Sequence, residues 1–195
     1  MGNKIWIGTE WCDQDIGEII GRMKPILCGN LSKSLDLKRA IEDCATPLNE
    51  DLSLQWRDMD LSTIIGQAAL SDLIRQSAPI SHVIHVVPKW DLETDFDSKT
   101  IPLDMELRHV RLSIDTLLSA TRAAYVTMSP YKNGCYTLLT HPQNTAESPL
   151  AIGLTGWFEK WLKASLKMWE DVGLELKCST QEAWIARLSE LDLSK

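Results

Sequence analysis

The chain has 195 residues, with 20 Lys plus Arg against 27 Asp plus Glu and a formal net charge of -7. Its 44% hydrophobic and 24% charged residues are the composition of one globular domain with enough apolar surface to bury a core, so a disordered chain is excluded. The acidic balance opposes a nucleic-acid or anionic-membrane binder, and no apolar run reaches the roughly 18–20 residues of a membrane helix.

Element types alternate along the chain. Residues 4–8 form a short apolar run, and residues 14–23 carry Ile16, Ile19, Ile20 and Met23 at helical spacing. Residues 25–28 are again short and apolar. Ser34 then caps a helical stretch with Leu37, Ile41 and Cys44 on one face. Residues 45–51 read as a loop and residues 52–56 as a strand. Ser62 opens a helix whose apolar face includes Ile65, Ala69 and Leu73. The run SHVIHVV over 81–87 is the strongest strand signal. An acidic loop over 88–102 leads to a long helix over 104–128. A strand over 135–140, CYTLLT, precedes a second strong helix over 154–172, with Gly173 where a terminating glycine belongs. A strand over 174–178 and a helix over 181–191 follow.

This order, β then α repeated six times, predicts an α/β fold. The expected architecture is a Rossmann-like, doubly wound parallel sheet of about six strands with helices on both faces. No boundary interrupts it, so residues 1–195 read as a single domain.

Two helices exceed what a surface helix needs. Residues 104–128 place Leu107, Val110, Ile114, Leu117, Leu118, Thr121, Ala124 and Met128 along one stripe. Residues 154–172 carry Trp157, Phe158, Trp161, Leu162, Leu166, Met168 and Trp169. A helix apolar over most of its circumference must bury a second side, and the aromatic content favours a subunit interface. Eight Trp stand beside three Tyr and two Phe, and three of those Trp lie on this helix.

Several segments resemble the short-chain dehydrogenase/reductase family. LQWRDMDLSTIIGQAALSDLIRQ resembles its third strand, the acidic residue after it and the next helix. ISHVIHVV resembles the fourth strand, VRLSIDTLLSATRAA the fifth helix, and LTGWFEKWLKASLKMWEDVGLELKCS the sixth helix and strand. The similarity spans nearly the whole chain and is one of pattern. It implies the fold, and it implies a homodimer or heterodimer through helices 104–128 and 154–172, which family members pair into a four-helix bundle.

The departures concern chemistry. The family's cofactor loop, TGxxxGxG, lets backbone close on a pyrophosphate at a helix N-terminus. Here it reads GTEWCDQDIG. Gly8 and Gly17 remain, but Trp11, Asp13 and Asp15 are sterically or electrostatically adverse. Asp58 corresponds in kind to an Asp beside the family's adenine ring. The cofactor-binding candidates are therefore Gly8, Trp11, Gly17 and Asp58. The family's catalytic Tyr, with a Lys four residues on, falls at about Ile152 and Gly156, and residues 150–157 hold neither type. The family's Ser position falls near Thr140 or His141, and its Asn near Arg111. After residues 174–178 the family continues into a substrate lobe, whereas 181–195 are what remain here.

Other chemistry is sparse. Five scattered Cys without a CxxC pair read as reduced cytoplasmic thiols. His82 and His85 would need a third ligand to hold a metal, and no spacing selects His109 or His141, so no metal is expected. Ligands of open α/β sheets bind at the C-terminal strand edge. The expected pocket residues there are Trp11, His85, Lys89, Trp90, Arg111, Thr140 and His141. Thr140, His141, Arg111 and His85 are the catalytic candidates, with Lys89 and Trp90 lining the pocket.

The sequence therefore points to a degenerate member of that fold. The first expectation is a cofactor-free enzyme or pseudoenzyme that acts on or binds a small organic molecule, with no cofactor, nucleic acid or membrane. The alternatives are a divergent NAD(P)-dependent carbonyl reductase and a non-catalytic subunit that pairs with an active relative.

Overall fold

A computed structural model describes residues 2–8, 23, 25–29, 56–87, 103–140, 149–180 and 183–184. Six strands form one parallel sheet: β1 (Asn3–Ile7), β2 (Ile26–Gly29), β3 (Trp56–Asp58), β4 (Ile80–Val86), β5 (Cys135–Thr140) and β6 (Glu175–Thr180). Their order across the sheet is β3-β2-β1-β4-β5-β6, with every neighbouring pair parallel. This is the doubly wound order in which the chain moves outward from β1 in one direction and then from β4 in the other.

The described helices are α1 (Ile64–Gln76), α2 (Leu103–Met128) and α3 (Pro149–Glu170). They supply one side of a continuous core. Leu70 and Ile74 of α1, Leu117, Ala120, Ala124 and Met128 of α2 and Phe158 and Trp169 of α3 belong to this one core cluster. The same cluster includes Ile5, Ile7, Val83, Tyr136, Leu138 and Leu176 from the strands. Strand alternation puts Trp6 on the other face, where the ring of Trp184 meets it at 5.9 Å. Ala183 and Trp184 are helical residues. The parallel sheet with helices thus matches the expected fold class.

Local chemistry sets where α1 begins. Thr63, not Ser62, is the N-cap: its extended backbone turns the hydroxyl to accept from the Gly66 N–H at 3.0 Å. Ser62 instead donates to the Asp60 carboxylate at 2.6 Å. The helix buries Gly66, Gln67, Leu70 and Ile74. Ile65 and Ala69, expected on the apolar face, are exposed: the stripe turned to the core is the neighbouring one, through Gly66, Gln67, Leu70 and Ile74. Only Leu73 of the expected three packs against the core.

Small residues let α2 lie close to the sheet: Ala120, Ala123 and Ala124 are buried along with Leu117 and Met128. The end of α3 is a Schellman motif. Gly173, at φ +77°, donates to the Glu170 carbonyl at 2.9 Å, and Leu174 donates to Trp169 at 3.0 Å. This terminating glycine stands where the sequence placed it. The helix itself starts at Pro149, one turn before the expected residue 154, because proline is suited to a first helical position. The third strand lies at Trp56–Asp58, at the end of the expected 52–56 run and beyond it. The expected helices at 14–23 and 34–44, the loops at 45–51 and 88–102, and the helix at 181–191 beyond Ala183 and Trp184 lie outside the described residues, apart from Met23, which is helical.

Candidate functional site

The winding reverses between β1 and β4, so at the C-terminal edge the connections leave these two strands in opposite directions. That geometry opens a crevice in doubly wound sheets. Its described rim consists of the ends of five strands. Gly8 follows β1 and donates its N–H to Cys28 at 2.9 Å, and Met59 after β3 donates to Gly29 at 2.9 Å. Val87 after β4 donates to Leu139 at 2.9 Å. The parallel ladder therefore continues one residue past these strands.

Gly8 is at φ +106°. A Cβ there would lie 3.0 Å from the Val86 carbonyl oxygen and 3.1 Å from the Val86 Cβ. The close approach of β1 to β4 is thus a sufficient reason for this glycine. Asp58 closes β3 and is exposed at the rim. Thr140 closes β5, and its hydroxyl donates to the Ser179 carbonyl at 3.4 Å.

The other sequence candidates separate. Arg111 sits in α2 with its side chain 83% exposed, 3.7 Å from the Asp115 carboxylate of the same helix. His85 is one residue before the end of β4, between Ile7 and Leu138 in the sheet register. It is 2% exposed, and burial pushes its imidazole down to about 4, so the ring is neutral. Trp11, Gly17, Lys89, Trp90 and His141 lie outside the described residues. Of the expected site residues, the structure brings Gly8, His85, Thr140 and Asp58 to one edge of the sheet, with His85 enclosed in the row beneath it.

Sequence reasoning missed what His85 touches. The Tyr136 hydroxyl lies 2.8 Å from His85 Nδ1 inside the core, with Thr121 beside the phenol. Burial raises the phenol's proton affinity well above its ordinary value. Strand alternation puts Tyr136 and His85 on the same sheet face, but only the β4–β5 register makes them neighbours.

A second polar group crosses the opposite face. His82 Nε2 lies 2.8 Å from Thr137 Oγ1, and Cys135 Sγ lies 3.6 Å from the same oxygen. Lys177 pairs with Glu175 at 2.6 Å. Burial, then the Lys177 and Lys4 charges, push His82 down to about 4. Burial also raises the Cys135 thiol. A protonated thiol beside a neutral imidazole is a quiet arrangement, the reverse of an activated nucleophile. Among the described residues, no group of three or more His, Cys, Asp or Glu could hold a metal ion, and no helix is long and apolar enough to cross a membrane.

No family model and no curated protein matches the chain. Among solved structures it is similar to a short-chain dehydrogenase/reductase of unknown function from Caenorhabditis elegans, crystallised with cofactor. The TM-score is 0.64 over 91% of this chain and 68% of that one, at 12% identity. The likeness is one of fold: this chain has a short-chain dehydrogenase/reductase-like, Rossmann-type sheet.

Proposed function

We propose that this chain is a non-redox protein of the short-chain dehydrogenase/reductase fold that binds or transforms a small organic molecule in the crevice between β1 and β4. The observation that carries the reading is where the tyrosines are. The chain has three. Tyr136 is fully enclosed, Tyr125 packs on Trp169 at 5.6 Å, and Tyr131 is in the 3-10 turn Ser129–Tyr131 that precedes β5, at the opposite edge of the sheet. None is at the rim. The first turns of α3, where the resemblance puts a Tyr and a Lys, hold Gly153 and Gly156 and no residue of either type. Without a phenol at the crevice, the proton transfer that accompanies hydride transfer has no donor of the family's kind.

A second reading is a divergent NAD(P)-binding oxidoreductase. It is favoured by the fold neighbour crystallised with cofactor, and by Gly8 and Asp58 at the ends of β1 and β3, which the family resemblance matches to cofactor-contacting positions. NAD(P) would bring hydride chemistry; the residues described here do not complete a proton donor for it. Titration of NADH and NADPH against the intrinsic Trp fluorescence separates the two readings. Trp11 follows β1 by four residues, so a cofactor in that loop quenches it. Saturable quenching at micromolar cofactor would overturn the first reading; a flat titration supports it.

The pairing proposal concerns α2 and α3. Leu118 and Val126 of α2 are 38% and 56% exposed, and Leu166 and Met168 of α3 are 41% and 45% exposed. Trp157 and Trp161 are half-buried and stacked, with centroids 6.1 Å apart. Apolar exposure on both helices supports a homodimer, or a heterodimer with an active relative, through this face. Sedimentation of the wild type beside Met168→Glu and Leu166→Glu tests it: a wild-type dimer that the variants dissociate is the expected result, and a monomeric wild type ends the homodimer.

A further inference from the structure

The two ends of the sheet are built differently. At one end β3 is three residues long, and a short edge strand gives another chain little to pair with. At the other, β6 is six residues long and follows β5 through six consecutive positions with neither a bulge nor a proline. The Glu175 N–H donates to the Gly134 carbonyl at 3.0 Å. Backbone direction alternates along a strand, so Glu175, Lys177 and Ser179 turn their N–H and C=O toward β5, while Leu176 and Cys178 turn theirs outward. Among the described residues no backbone hydrogen bond reaches those outward groups. The chain also leaves this edge after β6: Trp184 already lies against Trp6 of β1, three strands inward, at 5.9 Å.

The side chains of this edge carry a self-complementary pattern. Glu175 and Lys177 share one sheet face, with side chains 63% and 56% exposed and charged groups paired at 2.6 Å. Lysine on an edge strand ordinarily keeps other strands away. Here a carboxylate stands two residues from it. We propose that the outer edge of β6 is a docking site for a second copy of this chain, which runs antiparallel alongside it about a two-fold axis at Leu176. The two Leu176 backbones then exchange both of their outward hydrogen bonds. Glu175 of each copy comes directly opposite Lys177 of the other, twice over. Charge selects that register: moving the axis one residue, to Glu175 or to Lys177, sets like charges opposite each other. A strand pair of this length buries less than a standard interface, so the association is weak and shows at high protein concentration.

The test is sedimentation equilibrium of the full chain at concentrations up to the millimolar range. Glu175→Lys leaves two lysines on the edge, and Lys177→Glu leaves two glutamates. The expected result is an association of the wild type that each variant alone weakens roughly tenfold or more, because every cross-strand pair becomes like-charged. Mixed in equal amounts, the two variants regain it, since each lysine then meets a glutamate of the other chain. The double exchange, Glu175→Lys with Lys177→Glu, restores every opposite pair and should associate like the wild type. A wild type whose mass does not rise with concentration overturns the proposal. So do single variants that associate as tightly as the wild type, or a mixture and a double exchange no tighter than the single variants. Pairing through α2 and α3 involves neither residue and is common to all the samples, so it cannot produce this pattern, and its own failure leaves the result readable.

Discussion

Gly8 and Val86 are pressed together where the sheet reverses its winding: a methyl group on Gly8 would sit 3.0 Å from the Val86 carbonyl oxygen. Gly8 also holds φ at +106°, a conformation that other residues adopt at a cost. Gly8→Ala therefore adds backbone strain to a contact that two rigid strands cannot widen. The expected loss of stability is about 1–3 kcal/mol. Urea denaturation of both proteins measures it. An unchanged midpoint would mean that the edge yields, and the glycine would then need a ligand to explain it.

The cap of α1 gives a second test. Thr63 accepts from Gly66 at 3.0 Å and donates to the Asp60 carbonyl at 2.8 Å, whereas Ser62 caps nothing. Thr63→Ala is expected to cost about 1 kcal/mol, and Ser62→Ala less. Thermal melts of the two variants decide it, and a larger drop for Ser62→Ala would move the helix start to where the sequence alone put it.

How far the sequence could be read follows from what each feature depends on. Strand 80–86 and the glycine at 173 are local matters: a β-branched run, and a left-handed residue that ends a helix. Both are visible in a window of a few residues. The start of α1 is also local, but two candidate caps stand side by side, and only the Asp60 turn that engages Ser62 chooses between them. The Tyr136–His85 pair is different. The two residues are 51 apart in sequence, and their meeting depends on the β4–β5 register, which no local pattern encodes. The site was legible to the same degree. The edge of the sheet followed from the winding, whereas the place of each candidate side chain, exposed on α2 for Arg111 and enclosed in the sheet for His85, depended on packing.

The rotated face of α1 makes a sharper prediction than a count of apolar residues would. Ile64 and Ile65 are 80% and 82% exposed, while Leu70 and Ile74 are fully buried. Ile65→Ser removes little burial and should shift stability by no more than about 0.5 kcal/mol. Leu70→Ala empties a site in the core and should cost about 2–5 kcal/mol. Chemical denaturation of the pair checks it. A large loss at Ile65 would show that this isoleucine is covered in solution, by another copy or another protein.

Stability should fall in mild acid, and the two strand histidines give the reason. In the unfolded chain they titrate near 6.5, while in the fold both are held down to about 4, His85 by burial and His82 by burial with help from Lys177 and Lys4. The unfolded state therefore takes up protons first as pH drops. The contribution of each ring is complete above about pH 6.5, declines from there toward pH 4, and changes no further below that. For His85, fully enclosed, the loss by pH 5 is about 2 kcal/mol; for His82, which is partly exposed, it is smaller. Most carboxylates are still ionised at pH 5, so the window between pH 6.5 and 5 isolates the imidazoles. Urea midpoints across that window should slope downward in the wild type. His82→Gln should flatten the slope in part, leaving the share that belongs to His85. A midpoint that stays level from pH 7.5 to 5 would mean that His85 and His82 gain protons in the folded state as readily as in the unfolded chain, and the enclosed ring beneath the crevice would then be open to water.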